Sequence, residues 1–292
     1  MHPLAIGERT FVWGSQTYVM GILNVTPDSF SGDGLLTSED PLRASMDMAR
    51  RFVEAGAAIL DVGGESTRPG SEPVSVEEER QRVVPVIKAL ARELPDAIIS
   101  VDTYKAAVAQ EALEAGAHLV NDVWGLRADP QLKEVVARAG CPVILMHNRS
   151  NPASVEVRAQ LGKAYAGAEY VDLLSDVKRE LMDSVDLARQ AGIADDHIIL
   201  DPGIGFGKKV PHNLELINRL DEIRLLGFPV LSGPSRKSFI GYTLDLPPDQ
   251  RLEGTAAAVA VSIVRGADIV RVHDVEPLVR LVRMTDAIVR PR

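Results

Sequence analysis

Eight short apolar runs in this 292-residue sequence carry, at or near their ends, a residue able to bind a polar ligand: Asn24, Asp61, Asp102, Asn121, His147, Asp201, Ser232, and Arg271 with His273. One aspartate in such a place reads as an N-cap for the next helix. A whole set in register reads as a polar mouth above an apolar body. Asp102 and Asp201 are acceptors, and Asn121 both donates and accepts. Acceptors flanking an amide suit a flat heterocycle with an amidine-like donor edge, such as a 2-amino-4-oxo ring, whose carbonyl oxygen Lys237 could meet. A sugar or an amino acid could use the same residue types. The same loops hold Arg68, Lys208, Lys209, Arg236, Lys237, Arg271 and His273. In a chain of formal charge −9, cations gathered at one mouth point to an anionic substrate group, phosphate or pyrophosphate. Lys209 is expected to face solvent.

Three glycine-bearing loops lie among these residues. Asn24–Gly34 and Gly63–Ser71 are rich in hydroxyl and backbone-permissive residues and longer than ordinary turns, as lids over a substrate would be. The third, Asp201-Pro202-Gly203-Ile204-Gly205-Phe206-Gly207-Lys208, is spaced G-x-G-x-G and followed by Lys209, so it fits neither the dinucleotide fingerprint nor the P-loop. A shaped wall carrying Phe206 into the site fits it better. No H-E-x-x-H pair, no G-x-S-x-G elbow and a single cysteine, Cys141, leave no basis for a zinc site, a serine nucleophile or an internal disulfide. Cys141 reads as a small buried thiol.

The elements that must position these groups alternate along the whole chain. Strands are expected at 18–24, 59–63, 98–102, 119–122, 142–147, 198–201, 229–233 and 269–272, each short and apolar as strands buried on both faces are. Between them, 42–55, 76–92, 105–115, 131–139 and 171–191 carry apolar residues at helical spacing. Gly56, Gly116, Gly140 and Gly192 follow as helix stops. Eight strands joined by helices predict an α/β fold, a (β/α)8 TIM barrel, with a doubly wound open sheet as the alternative. Thr10–Val12 and Gln16–Val19 around Gly14-Ser15 predict an N-terminal β-hairpin, so 1–17 form a hairpin region within a single domain spanning 1–292. An acidic balance over the whole length speaks against nucleic acid. The run Ala256–Val264 is too short for a bilayer, and Met1-His2-Pro3-Leu4 lacks a signal-peptide start, so no membrane partner and a cytoplasmic location are expected. The last helix, about 277–289, places Leu278, Leu281, Val282, Thr285 and Ile288 on one stripe that fits packing on the barrel or a dimer face.

Seven blocks together carry a resemblance. Met20-Gly21-Ile22-Leu23-Asn24-Val25-Thr26-Pro27-Asp28-Ser29-Phe30-Ser31 and Asp61-Val62-Gly63-Gly64-Glu65-Ser66-Thr67-Arg68-Pro69-Gly70 resemble the two signatures of the dihydropteroate synthases, folate-pathway enzymes blocked by sulfonamides. Ser100–Thr103, Asn121-Asp122, Asp201–Lys208, Ser235–Gly241 and Arg271–Val275 match the remaining blocks in order. The resemblance implies condensation of 6-hydroxymethyl-7,8-dihydropterin pyrophosphate with p-aminobenzoate, giving 7,8-dihydropteroate and pyrophosphate. It implies that Asp102, Asn121, Asp201 and Lys237 hold the pterin, with Thr67 also touching that substrate. Arg271 and His273 would bind the pyrophosphate, and Asn24 would coordinate Mg²⁺. Phe30, Thr67, Arg68, Pro69, Phe206, Lys237 and Ser238 would lie near p-aminobenzoate. Arg68, Lys237, Arg271 and His273 would then be the catalytic groups, and a homodimer is implied.

The sequence departs from the family pattern twice. Ser31-Gly32-Asp33-Gly34 moves an acidic residue within the first loop, and Met146-His147-Asn148-Arg149 replaces the common Met-His-Met. No role is assigned to 150–170. Two other functions share part of the pattern: a pterin-dependent methyltransferase serving a corrinoid, and a non-catalytic pterin-binding barrel. The first has no need of Ser66–Gly70 or of Arg271 with His273. Intact Asn24, Arg68 and Lys237 argue against the second.

Overall fold

The computed structural model describes residues 1–26, 40–66, 71–151, 155–158, 161–165 and 167–290. Eight parallel strands form one sheet: β3 (Tyr18–Asn24), β4 (Ile59–Gly63), β5 (Ile98–Asp102), β6 (Leu119–Asp122), β7 (Val143–Met146), β10 (Ile198–Asp201), β11 (Leu231–Ser232) and β12 (Ile269–Val272). Their spatial order is β10-β7-β6-β5-β4-β3-β12-β11, and the parallel bridge Leu200↔Val230 joins the two edges. The sheet therefore closes, as the count of eight predicts for a TIM barrel, and the open doubly wound alternative falls. β7 and β11 are shorter than the sequence suggests. Their flanking Pro142, Pro229 and Pro234 have no N–H to give to a ladder.

Helices follow the strands: α1 (Pro41–Ala55), α2 (Val76–Glu93), α3 (Ala106–Glu114), α4 (Leu132–Ala139), α5 (Leu173–Gln190), α6 (Val210–Asn218), α7 (Leu220–Arg224), α8 (Ser238–Leu244), α9 (Leu252–Val264) and α10 (Val275–Val289). Gly56 shows how the stops work. It takes φ 105° after α1, and its N–H reaches the carbonyls of Phe52 and Val53, a conformation a Cβ would disfavour. One continuous apolar layer lies between barrel and helices and includes Val62, Val101, Val120, Leu145, Leu200 and Val270 from the strands.

A second core sits inside the barrel. Ile59, Ile98, Leu119, Ile144, Ile199, Leu231 and Ile269 form an inward apolar layer at its lower end. The antiparallel hairpin of β1 (Leu4–Ile6) and β2 (Arg9–Phe11) covers it with Leu4, Ile6 and Phe11. The hairpin exists, but its turn is Gly7-Glu8. Gly14-Ser15 instead leads from β2 into the barrel, its Gly14 N–H held by Asp268 Oδ1 at 3.0 Å. A second hairpin, β8 (Val155–Arg158) with β9 (Gly162–Tyr165), occupies the stretch between β7 and α5. Cys141 is a buried free thiol, its pKa pushed up to about 11 by burial. Among the described residues no helix is long and apolar enough to cross a membrane.

Candidate active site at the barrel mouth

Strand side chains alternate, so two residues beyond each member of the lower layer another side chain points into the barrel. Ile59 is followed by Asp61, Ile98 by Ser100 and then Asp102, Leu119 by Asn121, Ile199 by Asp201, and Ile269 by Arg271 and then His273. The same rule puts Asn24 on the inner face of β3. The carboxyl ends of the strands thus present Asn24, Asp61, Asp102, Asn121, Asp201, Arg271 and His273 to one mouth.

The opposite parity corrects two of the polar strand ends, His147 and Ser232, and turns Asp122 away from the mouth as well. Asp122 faces outward and accepts from the backbone N–H groups of Trp124 and Leu126 at 2.8 and 2.5 Å, so it builds a turn. His147 faces α5 and meets Glu180. Ser232 shares a 2.9 Å hydrogen bond with Ser262 of α9. None of the three lines the mouth.

Arg271 is the centre of the polar interior. Its Nε donates to Asp61 Oδ2 at 2.6 Å and its Nη2 to Asp102 Oδ2 at 2.5 Å. Asn121 Nδ2 donates to the same Asp61 oxygen at 3.0 Å. Burial alone would lower the Arg271 pKa, but Asp61 and Asp102 outweigh it and hold the pKa above its ordinary value. Burial pushes Asp102 up to about 7, Arg271 opposing and Asp61 adding to the shift. Asp201 is also raised by burial, against the 2.7 Å hydrogen bond it accepts from the Gly203 N–H. Among the described residues, Asp61 Oδ1 is buried without a hydrogen-bond partner. Asp61 was legible as a polar strand end, but its position between Asn121 and Arg271 was not.

The opposite wall comes from the glycine-rich turn after β10. Gly203, Gly205 and Gly207 all have positive φ. A Cβ on Gly203 would stand 1.8 Å from the His147 carbonyl oxygen, so only glycine lets the turn lie on that backbone. Phe206 is buried with Val123 and Met146, and Lys237 Nζ lies 3.7 Å from the centroid of its ring. Lys237 and Ser238 are placed by Arg236, whose φ of 56° is costly outside glycine. Arg236 is held there by its N–H to Thr255 Oγ1 at 3.0 Å and by its guanidinium on Asp274 at 2.5 and 2.9 Å. His273 Nδ1 pairs with Ser235 Oγ at 3.0 Å.

Two of the predicted mouth cations are committed elsewhere. Arg236 has its pair with Asp274, and Lys208 is buried beneath the turn with hydrogen bonds to protein carbonyls. Lys209 is exposed as expected and pairs with Glu169 at 2.7 Å. Phe30, Thr67, Arg68 and Pro69, with both altered positions of Gly32-Asp33-Gly34, lie outside the described residues. The flanks of their second loop are anchored by residues that sequence reasoning passed over. Lys105 Nζ contacts Glu65, Glu79 at 2.5 Å and the Val74 carbonyl at 2.6 Å, and Arg82 donates to the Gly64 carbonyl at 2.7 Å.

Comparison with known proteins decides what this mouth belongs to. A family model described as pterin binding enzyme matches residues 20–273. A dihydropteroate synthase of Clostridium beijerinckii is 47% identical over 288 residues, covering 98% of this chain and all of that one. The chain belongs to the dihydropteroate synthase family. It is a transferase of folate biosynthesis. Among solved structures of that family, the enzyme of Clostridium difficile, crystallised in the presence of pteroic acid, has a TM-score of 0.86 and 46% identity, covering 96% of this chain and 99% of that one. The dihydropteroate synthase of Xanthomonas albilineans with 4-aminobenzoic acid has a TM-score of 0.86 and 38% identity, covering 98% and 97%.

Proposed function

We propose that the barrel mouth divides the dihydropteroate synthase reaction between an inner pterin site and an outer aromatic-amine site. The observation that carries this reading is the inward ring of Asp102, Asn121 and Asp201 around Arg271, with Lys237 standing beside Phe206. Asp102 and Asp201 accept from the donor edge of the pterin, Asn121 pairs with the ring, and Lys237 meets its carbonyl oxygen. Thr67 adds a contact to the same substrate. Arg271 and His273, from one strand end, take the pyrophosphate. Phe206, Lys237 and Ser238, with Phe30, Thr67, Arg68 and Pro69, receive p-aminobenzoate. The neighbouring enzyme bound to 4-aminobenzoic acid and the one with pteroic acid support ligands of this class here.

The chemistry breaks the bond between the pterin methylene carbon and the pyrophosphate oxygen. The amine nitrogen of p-aminobenzoate forms the new bond to that carbon and releases a proton. Positive charge developing at the methylene is shared by the electron-rich pterin, whose donor edge lies on Asp102 and Asp201. Negative charge gathering on the leaving group is met by Arg271, His273 and Arg68. Preorganised groups of this kind are worth about 10²–10³ in rate each. No side chain needs to form a covalent intermediate.

A divalent metal fits this site only as a companion of the substrate. Among the described residues no group of three or more His, Cys, Asp and Glu could hold a metal ion. Asn24 offers one hard amide oxygen on the inner face of β3, matching the preference of Mg²⁺ for few protein ligands plus phosphate oxygens. Bound there with pyrophosphate, Mg²⁺ would add charge neutralisation of the leaving group.

The protein is further read as a cytoplasmic homodimer. Val261 and Val264 of α9 and Met284 and Ile288 of α10 are exposed apolar side chains on two helices packed together, which supports a shared face. Sedimentation at micromolar concentration should give twice the chain mass of 31.6 kDa. The catalytic reading is tested by supplying both substrates with Mg²⁺. Pyrophosphate release that requires p-aminobenzoate and yields 7,8-dihydropteroate is the expected result; release without the amine, or none, overturns it.

A further inference from the structure

Lys208 is a buried lysine that the reaction above does not use, its pKa pushed down to about 7 by burial. It is 4% exposed, and its Nζ makes three contacts: the Gly203 carbonyl at 2.9 Å, the Phe206 carbonyl at 3.0 Å and His147 Nδ1 at 2.9 Å. In its charged form this amine has three N–H donors and no acceptor, so all of them are spent. His147 Nδ1 must accept, which puts the imidazole proton on Nε2, 3.1 Å from Glu180 Oε2. Burial, followed by the charge of Lys208, depresses the His147 pKa to about 3, consistent with a neutral ring. Glu180 is fixed in turn by Arg149 Nε at 3.0 and 3.1 Å. A line of contacts thus runs from α5 through Glu180 and His147 to Lys208 and ends on two carbonyls of the turn that bears Phe206.

Other bonds hold the rest of the turn: the Gly203 N–H donates to Asp201 Oδ1 at 2.7 Å, the Phe206 N–H to the Gly203 carbonyl at 3.0 Å, and the Gly207 carbonyl accepts from the Ala168 N–H at 2.9 Å. Its Gly205 N–H is taken by Asn213 Oδ1 at 2.6 Å from the flank, and Gly203 rests against the His147 carbonyl. The two carbonyls gripped by Lys208 are the first residue of the turn and Phe206 itself. Rotation of either peptide would swing the ring that lies under Lys237.

We infer that Lys208 is a positioning residue that sets the Phe206 ring for p-aminobenzoate, with His147 and Glu180 holding the ammonium in place. The inference rests on the assignment of Phe206 to the aromatic-amine site. It predicts a defect larger for the amine than for the pterin, because Asp102, Asn121 and Arg271 come from other strands and, of the pterin residues, Asp201 adjoins the turn, through the 2.7 Å bond its Oδ1 accepts from the Gly203 N–H.

The test is steady-state kinetics on Lys208→Met, with His147→Leu and His147→Gln as a second pair should the first variant not fold. In Lys208→Met the KM for p-aminobenzoate should rise about tenfold or more, since small displacements of a positioned group carry penalties of this size. The KM for the pterin pyrophosphate should stay within about threefold on the same scale. His147→Leu strands one ammonium donor and should raise the amine KM. His147→Gln, whose amide can accept from Lys208 and donate to Glu180, should restore it. Unchanged amine KM in Lys208→Met and His147→Leu, equal rises for both substrates, or no rescue by glutamine would overturn the inference. A wild-type chain that makes no dihydropteroate would overturn the underlying reading instead, so the two failures are distinct.

Discussion

Arg271 donates to Asp102 at 2.5 Å, so the cation assigned to pyrophosphate is in this structure the counter-ion of a carboxylate assigned to the pterin. A substrate bearing both a donor edge and a polyanion can satisfy the two residues separately, exchanging one buried ion pair for two charge-assisted contacts. Arg271→Ala should therefore fail twice. Turnover should fall about 10²–10³-fold, the worth of a preorganised charge. Stability should fall by about 3 kcal/mol, because Asp61 and Asp102 lose their shared cation. Pyrophosphate release and denaturant unfolding measure the two effects, and wild-type turnover in this variant would sink the assignment.

Asp102 gives the site a pH dependence of definite sign. Its carboxyl is pushed up to about 7, chiefly by burial. Below that pH it holds a proton and ceases to be an ionised acceptor, so kcat/KM for the pterin substrate should decline as pH falls through about 7. The stability effect runs the other way. Between the ordinary carboxylate value and about 7 the folded chain binds a proton that the unfolded chain has released. The contribution of this group is present at low pH and lost as pH rises through 7. Asp102→Asn should gain on wild type by up to about 1 kcal/mol per pH unit across that window. Denaturant titrations at pH 5 and pH 8 compare them; a constant difference would refute the shift.

In the proposed reading Asn24 would be the one protein ligand of Mg²⁺, with phosphate oxygens and waters completing the set. Removing the metal with EDTA should abolish turnover reversibly. Asn24→Ala should shift the Mg²⁺ titration of activity to about tenfold higher concentration, the scale of losing one contact of about 1.4 kcal/mol. An unshifted titration would place the metal elsewhere.

Much of this is legible in the sequence because barrel strands buried on both faces are short apolar runs, and eight of them with helices between leave few architectures. The polar residue closing each run was visible too. What one-dimensional reading treated alike was parity. Asp201 and His147 both follow apolar runs, yet Asp201 shares the inward register of Ile199, whereas His147 shares the outward register of Leu145. Counting in twos from the lower layer would have separated them. Lys208 was misread for a different reason. A lysine after a glycine-rich turn looks like a phosphate ligand, and only the fold shows that the turn's own carbonyls surround it. The hairpin was displaced because Gly7-Glu8 is a less conspicuous turn than Gly14-Ser15.

Barrel closure supplies the last prediction, one of stability rather than chemistry. Asp268 is fully buried just before β12, and its carboxylate gathers three segments distant in sequence. It accepts from the Gly14 N–H at 3.0 Å, from the Val230 N–H at 3.1 Å and from Arg224 Nη1 at 2.7 Å. These tie the N-terminal plug, the seam strand β11 and α7 to one side chain. Asp268→Ala leaves two backbone donors without their acceptor and the Arg224 guanidinium without its counter-charge, with only the Gly266 carbonyl still accepting from its Nη1, which should destabilise the fold by about 3–5 kcal/mol. Asp268 lies at the opposite end of β12 from His273, so well below the melting temperature kcat should stay within about twofold of wild type. A variant that melts like the wild type would show that the seam closes without this carboxylate, and one that melts normally but turns over slowly would tie Asp268 to the mouth.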